Sequence, residues 1–335
     1  LSKRSVRLLV GIAIGAVFAY LSFRDARLSE SIKSISEVSI PWMLAVLVFT
    51  YLALVLRSIR WGVLLSPVKK IGLGSLFTSL LIGYMTNNVL PLRAGEAIRA
   101  YHMGNRENVP KSTTLGSIVV ERLLDLWTVV ILLLVSASFV AFSDQVRRVL
   151  MLGALVSLAL LVAVYFISRK RDQLADWTGR ILSRIVPRYA EKGGKIVRAF
   201  AEGVGLIKSP RRLAALLLLS IVIWLTSAAI VFCVSSATSI ELPPWGPLVV
   251  ISIIALGITI PTVPGDIGTF QFFSILGLSL FGIEKDAALT FSIVLHGSQY
   301  LPTTLTGLVL LWKESISFAG IRRAAWKEET RSSEE

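Results

Sequence analysis

An all-α integral membrane protein made of two inverted repeats is the fold class this sequence predicts, and three observations predict it. The chain of 335 residues is 54% hydrophobic and only 17% charged, with a mean hydropathy of +0.72. Its apolar runs match the ~20 helical residues that cross a hydrocarbon core of ~30 Å, and they are continuous, where a β-barrel strand would alternate. Two further apolar blocks are interrupted in the middle by Pro and Gly.

In chain order, crossings are expected at 6–23, 41–65, 113–140, 146–168, 212–238 and 286–312, with broken blocks at 71–104 and 244–283. Lys3, Arg4 and Arg7 precede "LLVGIAIGAVFAYLSF", and no small-residue cleavage site follows, so the first run is predicted to stay as an uncleaved helix. Arg57, Arg60, Lys69 and Lys70 mark the end of the second crossing, residues 169–212 carry twelve Lys and Arg against four acids, and Arg322, Arg323 and Lys327 follow the last crossing. All these basic zones fall on the cytoplasmic side if there are six full crossings and each broken block returns to the face it entered; Arg147 and Arg148 are the exception. This arrangement predicts a multi-pass protein of a bacterial or archaeal cytoplasmic membrane with both termini cytoplasmic.

The single membrane domain 1–335 then divides into repeats 6–140 and 146–312, each with three crossings plus a broken re-entrant hairpin. Three is odd, so the halves have opposite orientation, the plan of transporters whose sites lie where discontinuous helices meet. "PLRAGEAI" from Pro91 aligns with "PTVPGDIG" from Pro261, repeating a proline, a glycine and an acid at the same spacing. The connector 169–212 pairs helical apolar spacing with Arg and Lys. It reads as a basic amphipathic pair on the anionic cytoplasmic surface or as a solvated helical hairpin.

Several function classes are excluded or disfavoured. The net charge of +14 sits in the gaps between apolar runs, as retained loops require, and does not signal nucleic acid. Cys233 is the only cysteine, so no internal disulfide is possible. No Walker loop, GxSxG, HExxH, metal-ligand spacing or dinucleotide fingerprint is present, and no cofactor or metal is expected.

The polar segment "NNVLPLRAGEAIR" sits where a membrane helix should be finishing its crossing. Pro91 ends one helix near Leu90 and a new one is expected to begin near Gly95. Its free amides and dipole would face an anion. Arg93 and Arg99 supply forked guanidinium donors suited to phosphate, and Asn87 and Asn88 supply donors and acceptors. The alternative is a local pair between Glu96 and Arg99, three apart on one helix. In "VVERLLDLW", Glu121, Arg122 and Asp125 lie well inside an apolar run, where ionisable groups face a partner or a wet cavity; they either pair within the bundle or counter Arg93 and Arg99. Pro264, Gly265, Asp266 and Gly268 break the second block, with Gln271 just beyond in "GDIGTFQFF". His296, Gln299 and Tyr300 share "LHGSQYLPTT". His296 is a proton carrier or a hydrogen-bonded core histidine. Arg57 and Arg60 hold a head group or snorkel from a helix end. Gly11 and Gly15 form one GxxxG, too common to argue for the possible homodimer.

"NNVLPLRAGEAIRAYHM", "VVERLLDLW" and "IPTVPGDIGTFQ" together resemble the hallmark segments of the lysylphosphatidylglycerol synthase transmembrane-region family, over about 6–312. That family includes standalone membrane proteins and the flippase domain of the multiple peptide resistance factor. The resemblance assigns Asn88, Pro91, Arg93, Gly95, Glu96 and Arg99 to the first motif, Glu121, Arg122 and Asp125 to the second, and Pro261, Pro264, Gly265, Asp266 and Gly268 to the third. The last crossing of the family often carries an Arg near the positions of His296 and Gln299, a departure that bears on substrate contact. The soluble aminoacyl-transfer domain of the two-domain members has no counterpart in 1–335.

The expected function is movement of a phospholipid or polyprenyl-linked lipid between leaflets through a polar midplane cavity. Arg93, Arg99 and Arg122 would hold the phosphate, Glu96, Asp125 and Asp266 a cationic or hydroxylated head, and Glu121 or His296 a coupling proton. The alternatives are a membrane-embedded lipid transferase, or a non-transporting partner that recruits a lipid-modifying enzyme through 169–212.

Overall fold

The computed structural model describes residues 3–24, 34–90, 94–136, 139, 144–170, 172–173, 176–177, 180, 198–203, 209–260 and 262–314. Among these residues helix is the only regular secondary structure, without a strand. Pro91, Arg93, Pro261, most of the connector 169–212 and the basic residues after 314 lie outside the described residues.

Six helices are long: α1 (Lys3–Phe23), α2 (Ile40–Leu65), α5 (Lys111–Ser136), α6 (Asp144–Arg169), α7 (Pro210–Ala237) and α10 (Lys285–Lys313). A helix such as α2, at 26 residues, is about 39 Å long. Four are shorter and come in pairs: α3 (Leu73–Val89) with α4 (Gly95–Glu107), and α8 (Gly246–Gly257) with α9 (Thr269–Ser279). Each pair is joined where Pro and Gly forbid continuation, as the apolar runs predicted. Among the described residues, α2 and α7 are long and apolar enough to cross a membrane by length and composition alone. α5 and α10 carry polar residues in their middles.

The ends of the helices gather at two poles. At one, Ser39 N–H bonds Ala237 C=O across the α2–α7 contact, Lys285 Nζ reaches the carbonyls of Leu21 and Arg24, and Phe139 stacks on Trp245 at 5.4 Å. At the other, Arg106 Nε donates to Ser75 Oγ at 3.0 Å, Lys69 Nζ to Glu107 at 2.8 Å, and Arg106 pairs with Glu314. The open end of the α3–α4 hairpin is therefore closed on itself at the second pole, beside the end of α10.

α2 and α7 share the most extensive interface, and their buried faces are rich in small or hydroxylated residues: Thr50, Ala53 and Ser58 on α2, Ser220, Thr226 and Ser227 on α7. Lipid tails are as apolar as leucine, so close approach of small residues and polar contacts hold such helices together more than apolar burial does. An apolar core packs α8, α9 and α10 on this pair, through Val231, Val234, Val250, Phe270, Phe291 and Leu295. α6 packs on α5 and leaves Leu152, Leu155, Val156 and Phe166 exposed, a lipid-facing surface. α1 packs on α9, where Gly15 meets Val263 and the Ser22 hydroxyl lies 3.4 Å from Gly268 C=O. The GxxxG glycine thus seats α1 against the second hairpin.

Candidate functional site

α4 begins at Gly95, where the sequence places it. A methyl group at Gly95 would stand 2.0 Å from Gly83 C=O, so only glycine lets the returning helix lie this close to α3. The Gly95 N–H is taken by Asn87 Oδ1 at 2.7 Å. The helix start predicted to face an anion is thus capped from within the chain at its first amide, and Asn87 is the capping residue.

One turn into α4, Arg99 meets α5. Its Nη1 and Nη2 donate to Glu121 Oε1 and Oε2 at 3.1 and 2.9 Å, and its guanidinium lies 3.7 Å from the Trp61 ring centroid. Arg60 of α2 makes the parallel pair with Asp125, at 2.6 and 3.1 Å, and also donates to Ser220 of α7 at 2.9 Å. Trp224 Nε1 donates to Asp125 Oδ1 at 3.3 Å. Arg60, Arg99 and Glu121 are at most 2% exposed. Two-pronged geometry with extra donors is what allows charges to be buried, since desolvation otherwise exceeds the attraction. Around this pair of forks lie Arg122, 3.2 Å from Glu96 and 3.7 Å from Glu121, and Arg57, 3.6 Å from Asp125. Glu96 thus pairs with Arg122, and Arg99 with Glu121; the local Glu96–Arg99 pair does not form.

The second break carries one ionisable residue, Asp266, among neutral groups. Gly265 and Asp266 adopt left-handed backbone in the turn Pro264–Asp266. Gly268 has φ +87° and packs on α1, with Gly15 C=O only 2.7 Å from where a Cβ would lie. Its N–H donates to Gln271 Oε1 at 2.7 Å, which turns the Gln271 Nε2 donor toward His296 Nδ1 at 3.0 Å. His296 stacks on Phe270 at 4.4 Å and meets the Tyr300 ring edge-on at 5.6 Å. The two breaks touch: Tyr300 OH donates to Asn88 C=O at 3.1 Å while its ring lies against Gly265, and Asn88 Nδ2 donates to Thr304 Oγ1 at 2.8 Å.

A cavity of about 590 Å³ opens where these pieces meet. Of the predicted residues, Asn87, Asn88, Glu96, Arg122 and Asp125 line it from the first half, and Pro264, Gly265, Asp266, His296, Gln299 and Tyr300 from the second. Gly95, Arg99, Glu121, Gly268 and Gln271 stand behind the wall and hold it. Gln299 is the central residue of α10, and Asp125 and Trp224 lie near the centres of α5 and α7, so the cavity is at mid-depth of the bundle. Its rim includes Val119 at 39% and the Arg122 side chain at 40% exposure.

A profile of the lysylphosphatidylglycerol synthase TM region matches residues 8–307, nearly the whole described bundle. The chain belongs to this family. It is similar to a UPF0104 membrane protein of Methanocaldococcus jannaschii, 22% identical over 93% of this chain and 95% of the relative, and to one of Methanothermobacter thermautotrophicus, 21% identical over 87% and 90%. It is also 23% identical to the glycosyltransferase AglD of Haloferax volcanii, over 91% of this chain and 54% of that protein. The chain is thus a membrane protein of the family that the three motifs indicated.

In this family member, sequence reasoning undervalued α2. Arg57 and Arg60 read as head-group ligands or as residues snorkelling from a helix end; Arg57 lines the cavity, whereas Arg60 is 1% exposed and carries the Asp125 pair. The signal was available as charge balance: two arginines a turn apart in "VLRSIRW" match two acids a turn apart in "VVERLLDLW".

Proposed function

We propose that the protein moves a phosphate-bearing lipid between the leaflets of the membrane through the cavity at the two breaks. The observation that carries this reading is the cavity's composition and depth. Arginine and carboxylate side chains converge with Asn, Gln, His and Tyr in the middle of long helices, where ionisable groups are expensive and mark a substrate path.

The contact pattern supports an inverted repeat. Exchanging the halves maps α2–α3 onto α7–α8, α3–α4 onto α8–α9, α4–α5 onto α9–α10, and α3–α10 onto α8–α5, and every one of these contacts is present. The two poles fit six crossings with two hairpins that each return to their face of entry, and the basic loops favour cytoplasmic termini. Asp266 and Glu96 would receive the cationic or hydroxylated part of the head group. Movement is passive or coupled to an ion gradient.

The test is leaflet exchange of fluorescent phospholipids in proteoliposomes, across several head groups, for the native protein and for Glu96→Ala and Arg93→Ala. Exchange that is lost in the variants is the expected result. No exchange of any lipid in vesicles that hold folded protein would sink the reading. AglD motivates a second reading, in which the bundle serves a lipid-modifying enzyme without transport. That reading predicts a glycosylated or otherwise modified lipid only when such an enzyme is supplied.

A further inference from the structure

Hydrogen-bond accounting divides the four arginines of the network into two kinds. Arg60 and Arg99 are buried, and each commits both terminal nitrogens to one carboxylate. Arg57 and Arg122 line the cavity instead. Arg57 Nη1 approaches Asp125 Oδ2 at 3.6 Å, and Arg122 Nη1 approaches the same oxygen at 3.9 Å. These distances carry charge attraction but no hydrogen bond. Both groups thus approach one Asp125 oxygen, Arg122 Nη2 also stands 3.7 Å from Glu121 Oε1, and terminal N–H groups of both are left to donate. Only Arg122 Nε, 3.2 Å from Glu96, has a close carboxylate.

Arg60–Asp125 and Arg99–Glu121 are fully engaged pairs, which leaves Arg57, Arg122 and Glu96 at the cavity, lined also by Asp266 of the second break.

We infer that Arg57 and Arg122 form a clamp for one phosphodiester group, with Arg60 and Arg99 acting as positioning residues that hold Asp125 and Glu121 in place. The inference rests on the lipid-transport reading and deepens it by naming the chemistry of the ligand. A phosphodiester is an anion whose oxygens suit two forked donors. The cavity volume is that of a small-molecule site and houses a head group. Exposed Val119 on the rim gives apolar chains a way out beside Arg122. That favours a lipid over a soluble phosphodiester.

The experiment measures binding to the full chain in detergent by native mass spectrometry. The probes are dihexanoyl phosphatidylglycerol, dihexanoylglycerol with the same chains and no phosphate, and glycerophosphoglycerol with the same phosphodiester and no chains. The native protein is expected to bind the first and not the second. Arg57→Gln and Arg122→Gln should each weaken binding about tenfold or more, while Arg57→Lys, which keeps the charge but not the fork, should recover only part of the loss and shows that the position tolerates change. Gln variants that bind like the native protein, or dihexanoylglycerol that binds equally well, would overturn the clamp. Glycerophosphoglycerol binding as tightly as the lipid keeps the clamp and assigns it to a soluble ligand. Leaflet exchange separates the two proposals: binding through the clamp with no exchange removes transport alone, and exchange that survives in Gln variants with unaltered binding removes the clamp alone.

Discussion

The α3–α4 and α8–α9 hairpins each interrupt a helix at mid-depth, and their tips meet at Asn88, Gly265 and Tyr300, yet they are held by different chemistry. The first is tied to its neighbours by ions, through Arg99–Glu121 and Arg122–Glu96. The second is tied by amides, an imidazole, a left-handed glycine and the close seat of α1. Freed backbone inside a membrane needs partners, and each hairpin supplies one from an amide side chain, Asn87 to the Gly95 N–H and Gln271 to the Gly268 N–H. They differ in what happens when one component is removed. An ion pair leaves its partner as a bare buried charge, whereas a neutral contact leaves a gap or a single unmet hydrogen bond.

The largest effect is therefore expected at the first hairpin. Glu121→Ala should destabilise the protein by ~3–5 kcal/mol, because Arg99 is left buried without its partner. Thermal unfolding in detergent reads this directly. The double change Arg99→Leu with Glu121→Leu should recover much of the loss. If the single and double variants unfold alike, the ions are not what distinguishes this hairpin.

An intermediate effect sharpens the comparison at matched positions. Gly95→Ala places a methyl group against the Gly83 carbonyl, a backbone atom that cannot turn aside, and should cost ~1–3 kcal/mol by overpacking. Gly268→Ala adds the strain of φ +87° to a clash with Gly15 C=O and Ala19, and its damage should include loosening of α1. Protease access to the segment after α1, compared between the two variants, separates them: it should rise for Gly268→Ala and stay unchanged for Gly95→Ala.

Much of this was legible beforehand, and for local reasons. The helix ends at Val89, Gly95, Gly257 and Thr269 fall within the two broken blocks because proline and glycine act on their own backbone. The candidate residues of "VVERLLDLW" were legible because charge inside an apolar run has few explanations. For Arg57 and Arg60 the choice between a head-group ligand and snorkelling stayed open, and the burial of Arg60 against Asp125 was not legible without knowledge of the facing helix. Asn87 was legible as a polar group at the break but not as the cap of Gly95, which depends on how the chain folds back over eight residues.

The smallest expected effect is at the second pole, outside the membrane interior. Lys69 hydrogen-bonds Glu107 and, with Ser75, holds its carboxyl below the usual carboxylate range. A depressed folded pKa contributes stability that is present above the unfolded value and is lost as pH falls through the folded one. Lys69→Ala should therefore lower stability by at most ~1 kcal/mol, less in high salt, and the deficit should vanish at acid pH. A deficit that persists at low pH would mean that the hairpin's open end depends on something other than this pair.

The sequence by itself determined the membrane class, the positions of the long helices and the places where two of them break, since these follow from run length and from backbone restrictions of single residues. Only the tertiary structure decided the partners. Arg99 takes Glu121 across the α4–α5 contact in preference to Glu96 on its own helix, and Arg60 takes Asp125 across α2 and α5. Helical periodicity tells which side chains share a face, but the choice of partner depends on which faces pack together and which carboxylate can be gripped by both prongs out of water. That same packing left Arg57 and Arg122 facing the cavity.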